Sequence, residues 1–200
     1  MTCIAAAHKN GRTFIGCDSL VSSGDTRATQ IIKIIDFPGA KVGFAGSLLG
    51  FHVLENMGKA KRAKSTRITS VESARDFAKR FFYSLKREFS FMENENMELH
   101  HSNLLIATPG KLYVIDAATT CITYDDYTAI GSGESSATPV LRALWDVMDD
   151  PQAIVHKSLE SACHFNVYCG EPIHIFEVEA APAVKKTTKK KKPITRKIES

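Results

Sequence analysis

Two small or apolar runs, residues 2–8 (TCIAAAH) and 12–18 (RTFIGCD), flank Lys9-Asn10-Gly11, and no other segment restricts the fold as strongly. Asn-Gly between such runs signals a tight β-hairpin. With a three-residue loop, Thr2 falls opposite Asp18, and a two-residue loop moves the register by one position. Directly opposed Cβ atoms are about 4.5–5.5 Å apart, so the hairpin alone carries the chain start to a carboxylate. In the three-residue register Ile4, Ala6 and Phe14 share one face, and Cys3, Ala5, Ala7 and Ile15 the other. A sheet apolar on both faces is expected to be covered on both sides.

Thr2 adds chemistry to this geometry. Its small side chain suits removal of Met1 by methionine aminopeptidases, which leaves an α-amine and a β-hydroxyl on one residue. That pair is a nucleophile with its own base.

Further along, QIIKIIDFPGAKVGFAGS (30–47) reads as a second hairpin turning at Pro38-Gly39. Its first strand sets Lys33 among Ile31, Ile32, Ile34 and Ile35. Burying a lone lysine there is costly unless something uses its charge, and taken alone the pattern also fits a lysine snorkelling from an edge strand. Residues 47–64 and 69–92 read as helices. The second starts with the capping pattern Thr69-x-x-Glu72 and aligns Ala74, Ala78, Phe81, Phe82, Leu85 and Phe89 on one core-facing stripe. A third hairpin is expected at 103–108 and 111–116 around Pro109-Gly110, then a strand near 121–124, helices at 134–148 and 151–164, and final strands within VYCGEPIHIFEVE (167–179). Helices between groups of strands imply two packed sheets with helices outside.

Charge divides the chain. The formal net charge is +4, but residues 180–200 hold eight of the 26 basic residues and one of the 22 acidic ones. The remainder therefore carries 18 − 21 = −3. The basic segment has Pro182 and Pro193 and few apolar residues, a composition expected to stay disordered. Residues 1–179 are expected to form one domain. No run reaches the roughly 18 apolar residues of a membrane span, and the chain start lacks a signal-peptide pattern, so a cytoplasmic protein is expected. Five cysteines without a CxxC pair read as reduced thiols, and the seven histidines form no metal-ligand spacing with them, so neither metal nor cofactor is expected.

Thr2 behind Met1, IGCDSLVSSG (15–24), IIKII (31–35), VGFAGS (42–47) and AIGSGESSATPVLRAL (129–144) occur in an order and spacing that resembles the proteasome β-subunit family of N-terminal nucleophile hydrolases, in particular its HslV-like members. The resemblance spans about residues 2–178. It implies an α+β fold, a four-layer αββα sandwich. It also implies that Thr2 is the nucleophile, that Asp18 and Lys33 form the charged part of the site, that the Gly46 N–H is the oxyanion donor, and that Ser132 stands beside the threonine amine. Ser22, Gly46 and Leu48 are expected to bind substrate. The family carries an Asp and a Ser three apart after the last helix, and the register here assigns Glu160 and Cys163 to those support positions. Leu20 also departs from the polar residue usual there.

The implied function is threonine-type endopeptidase activity on unfolded polypeptides inside a homo-oligomeric ring fed by an ATP-dependent unfoldase. Two alternatives stand beside it. One is a catalytically silent ring subunit acting as scaffold. The other is an oligomeric platform whose Lys185–Lys197 segment binds nucleic acid or another polyanion in a salt-dependent way.

Overall fold

The computed structural model describes residues 2–23, 26–60, 67–90 and 102–179. The Asn-Gly hairpin comes first, with β1 (Cys3–Lys9) against β2 (Arg12–Cys17). Lys9 pairs with Arg12, so the loop holds only Asn10 and Gly11. Both take positive φ, 53° and 75°, the conformation of the turn that matches the twist of adjoining strands. This two-residue loop places Asp18 opposite Cys3, whose carbonyl accepts the Asp18 N–H at 3.1 Å, and corrects the three-residue alternative. A one-residue change of register exchanges faces. Phe14 therefore packs with Cys3, Ala5 and Ala7, and Ile15 with Ile4 and Ala6.

β10 (Tyr127–Gly131) and β11 (His174–Glu177) complete a four-stranded antiparallel sheet in the order β10-β1-β2-β11. A second antiparallel sheet, β5-β6-β7-β8-β9, comprises Ile34–Phe37, Ala40–Ala45, Asn103–Thr108, Lys111–Asp116 and Cys121–Tyr124. Between the hairpin and this sheet, β3 (Leu20–Ser23) and β4 (Thr26–Gln30) form a separate ribbon, irregular between Val21 and Ser22. Lys33 thus lies in the connection before β5 and not inside a strand.

Four helices cover the sheets: α1 (Leu48–Lys59), α2 (Val71–Ser90), α3 (Glu134–Trp145) and α4 (Pro151–Phe165). Ser47 caps α1 by accepting the Gly50 N–H, and Asp150 caps α4 by accepting the Gln152 N–H. The cap of α2 sits one residue past the expected Thr69-x-x-Glu72. Ser70 accepts the Ser73 N–H while Ser73 accepts the Ser70 N–H, a reciprocal box built from hydroxyls. Its buried stripe includes Phe77 along with Ala74, Ala78, Phe81, Phe82 and Leu85. The last residues expected in this helix and in α1, and the segment 180–200, fall outside the described residues.

Three apolar layers give the expected αββα order. Phe44, Phe77, Phe81 and Leu85 lie between α1/α2 and the five-stranded sheet. Ile4, Ile15, Leu105 and Leu112 lie between the sheets. Ala5, Ala137, Leu141, Ile154 and Leu159 lie under α3/α4. No helix among the described residues is long and apolar enough to cross a membrane.

Candidate active site

Asp18 ends the run of β2 and is wholly buried. Its Oδ1 accepts from Lys33 Nζ at 2.7 Å and from the Cys3 N–H at 2.8 Å. Its Oδ2 accepts from the N–H groups of Leu20 and Gly170, each at 3.1 Å. Four donors thus hold one carboxylate and fully replace its lost hydration. Lys33 is only 3% exposed. The snorkelling alternative fails, because the ammonium turns inward to Asp18. Its backbone N–H meets Cys17 Sγ at 3.4 Å, which fixes the connection that delivers the side chain.

Thr2 precedes β1, whose Cys3 pairs with Gly131 of β10. That pairing sets Thr2 beside the Gly131-Ser132-Gly133 turn. The Thr2 nitrogen donates to Ser132 Oγ at 3.2 Å, Ser132 Oγ donates to the Thr2 carbonyl at 3.3 Å, and the Gly133 N–H reaches the same carbonyl at 3.4 Å. Gly131 has φ +95°, and a Cβ there would come 2.2 Å from the Thr2 carbonyl oxygen. Only glycine meets both requirements. Gly46 is equally restricted by space, since a Cβ would lie 2.4 Å from the Phe44 ring and 2.8 Å from Ser102 Oγ.

Thr2, Lys33 and Gly46 open onto one cavity of about 190 Å³, whose walls include Val21, Ile31, Phe44, Leu48 and Phe51. Four of the expected residues, Thr2, Lys33, Gly46 and Leu48, therefore share a single concave surface, with Asp18 behind Lys33 and Ser132 behind Thr2. The backbone of Ser22 lies in β3, paired with Arg27.

Glu160 and Cys163, the support residues assigned from the register, both lie within α4. Glu160 faces outward from α4 and pairs with Lys157 at 2.8 Å and His156 at 3.6 Å. Cys163 is half-buried on the same helix, packed against the α3/α4 layer. Asn166 and Cys169, also three apart but beyond the helix end, contact the neighbours of Thr2. Asn166 Nδ2 donates to the Ser132 carbonyl at 2.5 Å, and the Cys169 thiol hydrogen-bonds Cys3 and Ser132. Asn166 is the residue at which α4 stops. An Asn near the end of an apolar helical run is a recognised stop signal, and reading it as one would have moved the pair out of the helix.

A family model described as "Proteasome subunit" matches residues 1–178. Among solved structures, Thiobacillus denitrificans BPH superposes with a TM-score of 0.77 at 21% identity, covering 90% of this chain and 100% of that one. Its complex with epoxomicin gives 0.75 at the same identity and coverage. Eukaryotic HslV from Trypanosoma brucei gives 0.64 at 22% identity, covering 88% and 99% of the two chains. At these identities the structural likeness speaks for the fold.

Proposed function

This chain belongs to the proteasome subunit family, whose members assemble into compartmentalised proteases, and from that premise we propose that it is an active threonine peptidase whose nucleophile is Thr2. The carrying observation is the Lys33–Asp18 pair at 2.7 Å, buried in the wall behind Thr2. A buried ion pair is costly to desolvate and contributes little net stability over apolar packing. Its place beside the threonine gives that cost a chemical purpose.

In this reading Met1 is removed and the Thr2 nitrogen becomes a free α-amine. Such amines titrate at about 7.7–8.0 in the absence of neighbours, so a useful fraction is neutral near pH 7. The amine takes the hydroxyl proton directly or through water. The hydroxyl oxygen attacks the scissile carbonyl, Lys33 stabilises the developing alkoxide, and the Gly46 N–H receives the oxyanion. The amine then returns the proton to the leaving nitrogen, an ester to Thr2 remains, and water releases it. Ser132 holds the amine, while Asn166 and Cys169 hold Ser132.

A substrate in extended form would add along the backbone at Ser22 and Gly46. Confinement in a homo-oligomeric ring fed by an ATP-driven unfoldase limits cleavage to unfolded chains. Intact mass after treatment with a threonine-directed covalent inhibitor tests the assignment. One adduct on a chain lacking Met1 is expected. A chain that hydrolyses peptides while retaining Met1 overturns the mechanism, and an unlabelled, inactive chain returns the reading to a silent scaffold.

A further inference from the structure

Cys3 and Cys169 are adjacent buried thiols that the peptidase chemistry does not consume. Cys3 lies on β1 directly after Thr2, and Cys169 in the turn after α4. Both are fully buried. A Cβ added at Gly133 would stand 2.9 Å from Cys3 Sγ and 2.8 Å from Cys169 Sγ, so the two sulfurs flank one glycine and hydrogen-bond each other there. We propose that Cys3 and Cys169 form a peroxide-sensitive modification site, closing to a disulfide that reversibly disables the adjoining Thr2 centre.

The two thiols are chemically unequal. Donation from Cys3 holds the Cys169 thiol below its ordinary range, with Ser132 contributing, while the same hydrogen bond and burial push the Cys3 thiol well up. Cys169 is the nucleophile, since the thiolate is the reactive form. Its sulfur attacks one peroxide oxygen, the O–O bond breaks, and the departing hydroxide takes a proton to become water. The Cys3 sulfur then attacks the resulting sulfenic acid, the S–O bond breaks, and the hydroxide released takes the Cys3 proton. Two thiols and one peroxide give one disulfide and two waters. Gly170, next to Cys169, lines an open surface cavity of about 610 Å³ together with Cys163, Glu171 and the end of α4, which brings a small oxidant within one residue of the sulfur. Cys163 in that cavity is pushed up to about 12, chiefly by burial, and remains an unreactive thiol.

The consequence for the site follows from what the two residues hold. The N–H of Cys3 and the N–H of Gly170 grip opposite oxygens of Asp18. Cys169 also hydrogen-bonds Ser132, which in turn accepts from the Thr2 nitrogen. Contracting a hydrogen-bonded pair to an S–S length of about 2.05 Å pulls on both grips and removes the contact to Ser132.

The full chain is treated with hydrogen peroxide, free thiols are alkylated under denaturing conditions, and peptides are mapped by mass. The linked Cys3–Cys169 peptide, short of two hydrogens, is expected. Peptide hydrolysis should fall on the order of 100-fold, the scale on which misplacing reacting groups by ~1 Å acts, and return with dithiothreitol. For Cys3→Ser and Cys169→Ser, each compared with its own untreated sample, the oxidised and reduced rates should agree. The functional effect rests on the Thr2 reading, but the linkage is read by mass in an inactive chain as well. Full alkylation of Cys3 and Cys169 at peroxide doses that oxidise the more exposed Cys121 overturns the proposal, as does equal inactivation of the wild type and both variants.

Discussion

Asp18 Oδ1 lies 2.7 Å from Lys33 Nζ and 2.8 Å from the Cys3 N–H, so one oxygen joins the buried ammonium to the residue that follows Thr2. Asp18→Asn removes the charge that pays for burying Lys33. Leaving one member of a buried pair costs about 3–5 kcal/mol, visible as a lower denaturant midpoint, and hydrolysis should be lost. Asp18→Asn combined with Lys33→Met should regain much of the stability without regaining hydrolysis. Turnover at the wild-type rate by the double variant would remove Lys33 from the mechanism.

Thr2→Ala should abolish hydrolysis with little change in stability, because the side chain sits at a chain end beside a cavity. Thr2→Ser retains a hydroxyl on the same residue as the amine and should keep part of the rate. Peptide hydrolysis by the Thr2→Ala protein at the wild-type rate would place the nucleophile elsewhere.

Gly131→Ala puts a Cβ at φ +95° and 2.2 Å from the Thr2 carbonyl. The backbone conformation alone costs about 1–3 kcal/mol, and the contact must displace Thr2 from Ser132. Loss of hydrolysis beyond what the fall in thermal midpoint explains is expected. A crystal structure of the variant with Thr2 unmoved, together with full activity, would show that the close approach is dispensable.

The three hairpins and the four helices were legible because they rest on local patterns, whereas β3, β4 and β10, the strand that pairs with β1 beside Thr2, were not anticipated. Asn10-Gly11, Pro38-Gly39 and the α2 stripe each act within a few residues. Lys33 was legible as an anomaly, but its destination was not. A run of isoleucines reads as a strand by propensity, whereas the site needs the chain to leave β4 and cross to β5 at that point, and the Asp18 contact that rewards this is 15 residues away. Asn166 and Cys169 were missed for a related reason. Helical periodicity continues to the end of α4 and favoured a register inside it, while the hydrogen bond that identifies Asn166 spans 34 residues to Ser132. Residues that touch through the fold carry no local period.

Alkaline pH should destabilise the protein through Cys17. Burial raises its thiol from the ordinary value near 9 to about 12. Because the folded state holds the proton more tightly, this contribution to stability is fully present below about pH 9 and is lost as pH rises toward 12. Urea midpoints measured between these limits should decline more steeply for wild type than for Cys17→Ala. Parallel declines would mean that the Cys17 thiol titrates alike in the folded and unfolded chains.

The walls of the cavity beside Thr2 set an expectation for cleavage preference. Val21, Ile31, Phe44, Leu48 and Phe51 supply apolar surface, while Ser47 is engaged in capping α1 and Lys33 is paired with Asp18. A side chain on the amino side of the scissile bond that enters this space should therefore be aliphatic or aromatic. At about 0.8 kcal/mol per buried CH₂, leucine should exceed alanine there by about 2 kcal/mol, roughly 30-fold in kcat/KM. Leu48→Glu brings an acid to the half-exposed rim and should depress hydrolysis of the leucine peptide while leaving that of the alanine peptide less affected. Equal rates for leucine, alanine and aspartate peptides with the wild-type protein would show that the substrate side chain does not enter this cavity, whatever the fate of Thr2 as nucleophile.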